Sequence, residues 1–406
     1  MTPKEDGWRH LKLGAVQIPG GLVGGPFGSN LGRKDYRPAG IPVIRGANLS
    51  SLGRFDASEF VYVSPDKARE LIRNSAIPGD VVFTQRGTLG QVGIVPEQPH
   101  NSYVISQSQM RLRCDPKVAD PRFMYYLFRS PAMVRKLESL AVTTGVPHIN
   151  LGTLAGVDLD LPPLRIQVQV AQMLGALDDK IDLNRRISRT ALDLVDKMFH
   201  KARPSSGTWA RRPITVGVEV LGGGTPKTSI PSYWDGDIPW VSIRDLADPP
   251  FVVATHKSIS AEGARNSAAM PLPDRTVVIS ARGTVGELGL TVGSMSINQS
   301  CYGLHSATPY WLYMSLLDAV AELRARAHGS VFDTITRATL DGLAVPAAPP
   351  RVVADFEAAA KPFFDLILAN VQQNRTLAEL RDLLLPKLIC GEIRVREAAD
   401  AIDSAG

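Results

Sequence analysis

Two stretches of this chain, 186 residues apart, carry the same apolar stripe. The first, residues 166–203, reads IQVQVAQMLGALDDKIDLNRRISRTALDLVDKMFHKAR. Val170, Leu174, Leu177, Ile181, Ile187, Ala191, Leu194 and Met198 recur at steps of mostly three and four. That spacing lies along one face of a helix. Asp178, Asp179, Lys180, Asp182, Arg185, Arg186 and Arg189 fill the other face, and Pro162-Pro163 and Pro204 bracket the stretch as boundary signals. In the second stretch, residues 351–385, Val170 falls on Phe356, Leu174 on Ala360, Leu177 on Phe363 and Ile181 on Ile367. Ala191, Leu194 and Met198 fall on Leu377, Leu380 and Leu384, and Pro349-Pro350 stand in front. A narrow stripe on so long a helix requires a partner helix, and the two stretches are expected to supply each other's. Asn184, polar within the stripe, falls on Asn370, which suits a register-setting pair. Pro362 is expected to kink the second helix or mark its true start.

The rest of the chain is also doubled. IPVIR at 41–45 resembles IPWVSIR at 238–244, and RGTLGQVGI at 86–94 resembles RGTVGELGL at 282–290. ISQS at 105–108 resembles INQS at 297–300, and DPRFMYYLFRS at 120–130 resembles TPYWLYMSLLD at 308–318. The separations shrink from 196 to 192 to 188, as differing loop lengths would make them. The order is globular unit, helix, globular unit, helix. The boundaries expected are 1–163, 164–204, 205–350 and 351–406. Each globular unit is expected to be α/β (α+β). IPVIRGANL, DVVFTQRG, QVGIVP and SQMRLRC form short strands in the first, and DRTVVISARG a strand in the second. SPDKARELIRN and DPRFMYYLFRSPAMVRKLESL open with a capping residue and a proline, so they form helices, the latter broken at Pro131. The repeat and the two stripes together predict two like domains separated by an antiparallel two-helix coiled coil, with pseudo-twofold symmetry.

Length and charge narrow the function. At 406 residues the chain exceeds one ordinary core. No apolar run is long enough to span a membrane, and MTPKEDGW has no signal-peptide pattern, so a cytoplasmic protein with no membrane partner is expected. Cys114, Cys301 and Cys390 are far apart, which fits a reducing compartment, and neither they nor the seven histidines show metal-ligand spacing. No metal and no cofactor are expected in this chain. The net charge of +5 permits nucleic acid without arguing for it.

The strongest catalytic motif is DPPF, Asp248 to Phe251, which would suit an amino-group methyltransferase: a polar group accepts from the exocyclic amine and the aromatic stacks on a flipped base. No strand ending in G-x-G and opening a helix accompanies it, and the first half has no counterpart. A Pro-Pro turn between strands accounts for it better. RGT lacks the spacing of a phosphate loop, no G-x-S-x-G elbow occurs, and His148 and His256 stand alone. What remains suits binding. The loops GGLVGGPFGSNLGRKDY (20–36) and GGGTPKTSIPSYWDGDIPW (222–240) mix glycine with basic, amide, hydroxyl and aromatic side chains. Such groups meet phosphates and base edges. The residues expected to touch DNA are Ser29, Asn30, Lys34, Tyr36, Arg45, Asn48, Gln85, Arg86 and Gln107 in the first unit. In the second they are Thr225, Lys227, Tyr233, Trp234, Arg244, Arg282, Thr284 and Gln299.

These motifs together resemble the specificity subunit of type I restriction-modification systems. GPFGSNL…DY…GIPVIR at 25–45 and GGTPKT…YWDGDIPW at 223–240 are similar to two common entries to that family's target-recognition domain. The two RGT stretches resemble the strand-turn-strand that follows. LPPLRIQVQVAQMLGALDDKID at 161–182 and RDLLLPKLICGEIRV at 381–395 resemble its central and distal conserved helices. The tail after Val395 matches no part of the pattern, and GSVFDTIT in the second half replaces GVPHIN. The resemblance implies a non-catalytic reader of double-stranded DNA with a bipartite site, one half per target-recognition domain. It implies two modification subunits that bind S-adenosylmethionine and methylate adenine, and restriction subunits that join that core. A helix of this length is roughly 57 Å long at ~1.5 Å per residue, so the rod would act as a ruler spanning at most about 17 base pairs. Two other classes stay open: a self-sufficient N6-adenine methyltransferase using Asp248 and Phe251, and a coiled-coil protein-binding scaffold.

Overall fold

The computed structural model describes the chain except residues 1–6, 50–52, 58–59, 143–145, 204–208, 248, 327–333 and 406, and except the side chains of 322–326 and 401–405. It forms two compact units, residues 1–182 with 375–406, and residues 183–374. Each unit therefore contains one globular head and half of each long helix.

In unit 1 the chain runs through β1 (Arg9–Lys12), β2 (Gln17–Gly24), β3 (Ile41–Ile44), β4 (Val61–Val63), α1 (Pro65–Glu70), β5 (Ser75–Ala76), β6 (Val81–Thr84), β7 (Val92–Ile94), β8 (Tyr103–Ile105) and β9 (Gln109–Cys114). Then come α2 (Pro121–Arg129), α3 (Pro131–Ser139), α4 (Leu151–Ala155), β10 (Asp158–Leu161) and the start of α5 (Leu164–Lys201). Two sheets form, ordered β2-β9-β6-β7 and β4-β3-β8-β5, and β1 pairs with β10. Ser64, Asp120, Ser130 and Asn150 cap the four short helices by accepting from the N–H three residues on. Pro131 separates α2 from α3, as the sequence suggests.

Unit 2 repeats the plan with β11 (Arg211–Pro213), β12 (Glu219–Gly222), β13 (Ile238–Val241), β14 (Phe251–Val252), β15 (Ser258–Ile259), α6 (Ala261–Arg265), β16 (Val277–Ser280), β17 (Leu288–Thr291), β18 (Ser296–Ile297), β19 (Cys301–His305), α7 (Pro309–Arg326), α8 (Arg337–Gly342) and β20 (Ala344–Pro346). Its sheets are ordered β12-β19-β16-β17-β14 and β15-β13-β18, and β11 pairs with β20. Every strand neighbour of unit 1 recurs except β5, and β14 is added. The one parallel pair of the small sheet recurs too, β3 with β8 and β13 with β18. The fold is thus one mixed α/β head made twice, as the repeat predicts.

The long helices α5 and α9 (Pro350–Cys390) pair within each unit. In unit 2, Asn184 Nδ2 donates to Asn374 Oδ1 (2.9 Å) and Gln373 Oε1 (2.8 Å), and Asn370 Nδ2 donates to Ser188 Oγ (3.2 Å). One helix advances four residues while the other retreats four, so the pair is antiparallel. Ala191, Val195 and Phe199 share a core with Phe356, Ala360, Phe364 and Ile367, and Tyr310 of α7 stacks on Phe364 at 4.2 Å. In unit 1, Val170, Ala171 and Leu174 share a core with Leu384, Leu385 and Leu388 and with Phe123 and Tyr126 of α2. The two asparagines of the stripe are buried, as a register pair should be.

Three details differ from the stripe as drawn on the sequence. Ile187 and Leu194 are exposed, and Val195 and Phe199 take the seam instead. An α-helix turns every 3.6 residues, so its buried stripe drifts off a 3.5-residue repeat. Pro362 does not break α9, nor does Pro386. Both are exposed, and so are Ala358 and Asp382, whose carbonyls lose their N–H partners on the solvent side of the helix, where a missing bond costs least. Asp178, assigned to the charged face, is 3 % exposed. It accepts from the Tyr126 hydroxyl (2.6 Å) and from the Arg381 guanidinium (2.7 Å). Burial pulls Arg381 down, but the bonds to and charges of Asp178 and Asp382 together outweigh it and hold the guanidinium above its ordinary range.

The chain after Cys390 forms α10 (Val395–Ala405), whose Ala398 is buried in unit 1 with Ile393 and Val395 packed alongside. The tail that matches no family pattern is therefore part of this core.

In unit 2, Glu357 of α9 accepts from the backbone N–H of Trp311 (2.7 Å) and from that of Tyr310 in the first turn of α7. Burial pushes its carboxyl up to about 7, although these N–H groups pull it down. An unfolded glutamate releases its proton near 4.5, so between there and about 7 only the folded unit stays protonated. Stability then falls as pH rises through that window. Glu357→Gln keeps an acceptor without the charge. It should stabilise unit 2 above pH 7 by roughly 1–2 kcal/mol, allowing for partial solvent screening, and flatten its melting temperature between pH 5 and 8.

Candidate nucleic-acid interface

The loops that carry the expected contacts leave the ends of β2 and β12. In unit 1, Gly25 N donates to Gln109 O (2.8 Å). A Cβ at Gly25 would sit 2.0 Å from Ser106 O, so only glycine lets the loop turn here. Gly223 stands in the same place in unit 2, 2.0 Å in the same sense from Asn298 O. Beyond these glycines each loop is fastened by a glutamine. Gln107 donates to Gly28 O and to Leu31 O (2.7 Å), and Gln299 Oε1 accepts from the Thr225 hydroxyl. The matched glutamines thus fix loop shape. In unit 2 two indoles add to this: Trp240 Nε1 donates to Gly224 O (3.0 Å) and Trp234 Nε1 to Lys227 O (3.3 Å).

Ser29, Asn30 and Lys34 are exposed on the first loop, and Lys227 on the second. Tyr36 and Tyr233 are half-buried. Tyr36 packs on the small core of Leu31, Val43 and Val63, and the Tyr233 carbonyl accepts from Ser260 N (3.0 Å). Trp234 lies edge-on to Trp240 at 5.1 Å.

Arg86 and Arg282 occupy one position twice. Each is exposed and follows the edge of a central strand, and each forms an isolated bridge, Arg86 with His148 and Arg282 with Thr334. Neighbouring bonds complete the clamp: Gln85 N to Ser108 O (2.7 Å) and Ile149 N to Gln85 O (3.0 Å) in unit 1, Ala281 N to Ser300 O (2.7 Å) and Ile335 N to Ala281 O (2.8 Å) in unit 2. Held backbones with exposed guanidiniums are preorganised donors. Gln85 is half-buried beside Arg86, and Thr284 is exposed two residues after Arg282. His148, alone in the sequence, serves here through its backbone.

Arg45 and Arg244, which end the similar stretches IPVIR and IPWVSIR, are not equivalent. Ile44 lies opposite Ile105 and Val241 opposite Ile297, so Ser242 is the counterpart of Arg45, and Arg244 stands where unit 1 has Ala47. Asn48 is 1 % exposed. Its Oδ1 accepts from Arg45 N (2.9 Å) and its Nδ2 donates to Asp56 O (3.0 Å), so its amide shapes the loop from within. Asp245 is its counterpart and accepts from Ser242 N and Oγ (2.8 and 2.6 Å).

Asp245 also shows what the sequence hides. It holds His256 through N–H (2.9 Å) and Nδ1 (2.6 Å), while the imidazole stays about half exposed (53 %). Burial raises the Asp245 carboxyl, but the bonds from Ser242 and His256 win and keep it below the usual carboxylate range. The next residue, Lys257, lies over the Trp234 ring at 5.2 Å. A run of contacts thus links the Lys227 carbonyl, Trp234, Lys257, His256 and Asp245 in unit 2. Only the lysine next to an aromatic-rich loop hints at this in sequence.

Asp248 of the DPPF stretch lies outside the described residues. Phe251 is 3 % exposed, edge-on to Phe364 (6.0 Å) and covered by Arg275 (5.0 Å), so it has no face for a flipped base. Asp196, His200 and Asp318 come together, with His200 Nε2 3.3 and 3.6 Å from the carboxylates. Arg203 also bonds Asp318, which makes this an ion-pair cluster. Burial pushes the Cys114 and Cys301 thiols up to about 12, and Cys390 is exposed. A thiol-reactive dye should thus label one cysteine of the native protein quickly and all three only after unfolding.

The family model for the type I restriction modification DNA specificity domain matches residues 37–191 and 209–350. The specificity subunit of the type I restriction enzyme HindI from Haemophilus influenzae is 20% identical, over 81% of this chain and 89% of its own length. The specificity subunit of the putative type I restriction enzyme MjaX from Methanocaldococcus jannaschii is 21% identical, over 88% of each. The crystal structure of a type I restriction-modification S subunit from M. genitalium shares the fold, with a TM-score of 0.59 at 14% identity over 96% of this chain and 97% of that one.

Proposed function

Because this chain belongs to the type I restriction modification DNA specificity family, we propose that each of its heads reads one short half of a split duplex site. The observation that carries this is the matched pair Arg86 and Arg282, exposed on clamped backbones in two heads of one topology. An arginine so placed suits bidentate donation to guanine O6 and N7. In unit 1, Ser29, Asn30, Lys34, Tyr36, Arg45 and Gln85 complete the reading surface, and in unit 2 Thr225, Lys227, Tyr233, Trp234, Arg244 and Thr284 do. Gln107 and Gln299, themselves exposed, belong to that surface and also fasten its loops, and Asn48 shapes its loop from within. The chain itself is a reader. Methyl transfer to adenine, with its S-adenosylmethionine, belongs to modification subunits, two of which dock on the paired helices, and restriction subunits join that core.

The test is to map methylated adenines in a host carrying this chain with its modification partner. A bipartite motif is expected, and replacing loop 223–240 with another sequence should change one half only. A change in both halves would overturn the division of labour. Methylation by the purified chain alone would establish the methyltransferase reading instead, against which the burial of Phe251 counts. Duplex binding that weakens steeply with salt separates a DNA reader from a protein scaffold.

A further inference from the structure

Arg54 reaches out of the head of unit 1 to the long helix. Its guanidinium bonds the carboxylates of Asp179 and Asp182, one turn apart on α5, the latter at 3.3 Å. The arginine side chain is only 20 % exposed. Burial pulls the guanidinium down, but the two carboxylates together outweigh it and hold it above its ordinary range. The backbone that carries Arg54 is fastened as well. Gly53 O accepts from the Tyr125 hydroxyl of α2 (3.3 Å), and Arg54 O accepts from Ile94 N (3.2 Å) on the edge strand β7. Two residues on, Asp56 N donates to Asn48 O (2.9 Å) and Asn48 Nδ2 to Asp56 O (3.0 Å). Asn48 Oδ1 in turn holds Arg45 N (2.9 Å). A short run of bonds therefore joins α5 to the loop that bears Arg45.

Unit 2 makes the same junction with different chemistry. Leu290 lies opposite Val277 as Ile94 lies opposite Val81, and Leu290 N donates to Pro250 O (2.7 Å), so Pro250 is the counterpart of Arg54. The next residue, Phe251, meets Phe364 of α9 edge-on at 6.0 Å. The 186-residue shift takes Asp179 to Asp365, which pairs with Lys361 of its own helix, and Asp182 to Leu368, which packs on the apolar core. Salt screens a partly exposed ion pair and leaves apolar packing in place. One head thus meets its long helix at this edge through charge, and the other through packing.

Resting on the reading of the heads as DNA readers, we infer that Arg54 is a positioning residue: through Asp179 and Asp182 it fixes how the head of unit 1 is set on α5, and so which spacing between the half-sites is accepted. One added base pair moves a half-site by ~3.4 Å and turns it by roughly 35° about the duplex axis. A head held at its edge resists that turn, and a released head follows it. The complex with its modification subunits is assayed on duplexes carrying its mapped site, with the native spacer and with spacers one base pair longer or shorter. A ratio of affinities taken at one salt concentration cancels the phosphate contribution common to all three. Arg54→Met should lower the preference for the native spacer about two- to fivefold, with the base preferences of both half-sites unchanged. Asp179→Asn combined with Asp182→Asn should act alike from the helix side. That pair leaves the packing of the head untouched, so the test stands even if Arg54→Met folds poorly. Arg54→Lys should recover part of the preference. In the wild type the preference should fall as salt rises, and in Arg54→Met it should stay flat, which a merely structural role would not produce. Full spacer preference in both the Arg54→Met and the double-asparagine complexes would overturn the inference, as would a wild-type preference that salt does not touch. Lost base discrimination in one half-site, with spacer preference intact, would overturn it in favour of a role in the reading loop alone. If the wild-type complex shows no bipartite site at all, the DNA-reader proposal itself has failed.

Discussion

Arg381→Met should lower the stability of unit 1 by about 3–5 kcal/mol, the penalty for leaving a buried charge without its partner. In the native protein Asp178 lies between the Tyr126 hydroxyl and Arg381, and the charged pair is 4 and 7 % exposed at its side chains. Methionine fills much of the arginine's space but offers no positive charge. The expected readout is a urea melt in which the transition of this unit moves while that of unit 2 does not. The second head supplies the control. Tyr126 is the sixth residue of α2 as Met314 is of α7, and the 186-residue shift takes Asp178 to Phe364 and Val195 to Arg381. All three counterparts are buried and apolar. The triple change Tyr126→Met, Asp178→Phe and Arg381→Val should therefore recover most of the loss, as replacing a whole buried ionic group by packed apolar residues often does. A triple variant no more stable than Arg381→Met alone would show that the two sites are not equivalent in packing.

Arg86→Ala should relax one base-pair position in one half-site by roughly 1–3 kcal/mol, about 5- to 150-fold in relative affinity. Arg282→Ala should do the same in the other half. The comparison is made at fixed salt, on a panel of single-base variants of the mapped site. A uniform loss on every duplex, with the salt slope reduced by about 1, would mark a phosphate contact instead. Both arginines are exposed and make no side-chain hydrogen bond among the described residues, so little change in melting temperature is expected.

The architecture was legible because two periodicities survive in the chain: the helical stripe and the long internal repeat. Each rests on local spacing, and local spacing decides which face a residue shows. What escaped depends on partners far away in sequence. Asp178 looks like one more surface charge until α2 and α9 bring a phenol and a guanidinium to it. The pairing of β1 with β10 joins residues about 150 apart, and nothing in either strand announces it. Gln107 and Gln299 stood out as matched polar residues, but whether such a group faces a ligand or fastens a loop is set by the carbonyls and hydroxyl nearby. Likewise, the equivalence of Arg45 with Ser242 comes from strand register, which a gapped motif match cannot supply. His256 is a lone histidine in sequence because its anchor, Asp245, is eleven residues earlier in another turn.

The fastening of the entry loops has a consequence for how such a protein diversifies. Glycine contacts, the Gln107 amide and the Trp240 indole all meet main-chain oxygens, which every residue type possesses. Outward-pointing side chains at 29, 30, 34 or 227 can then be exchanged while the framework beneath them keeps its form. New target preferences are then within reach of one or two substitutions that leave the fastening bonds in place.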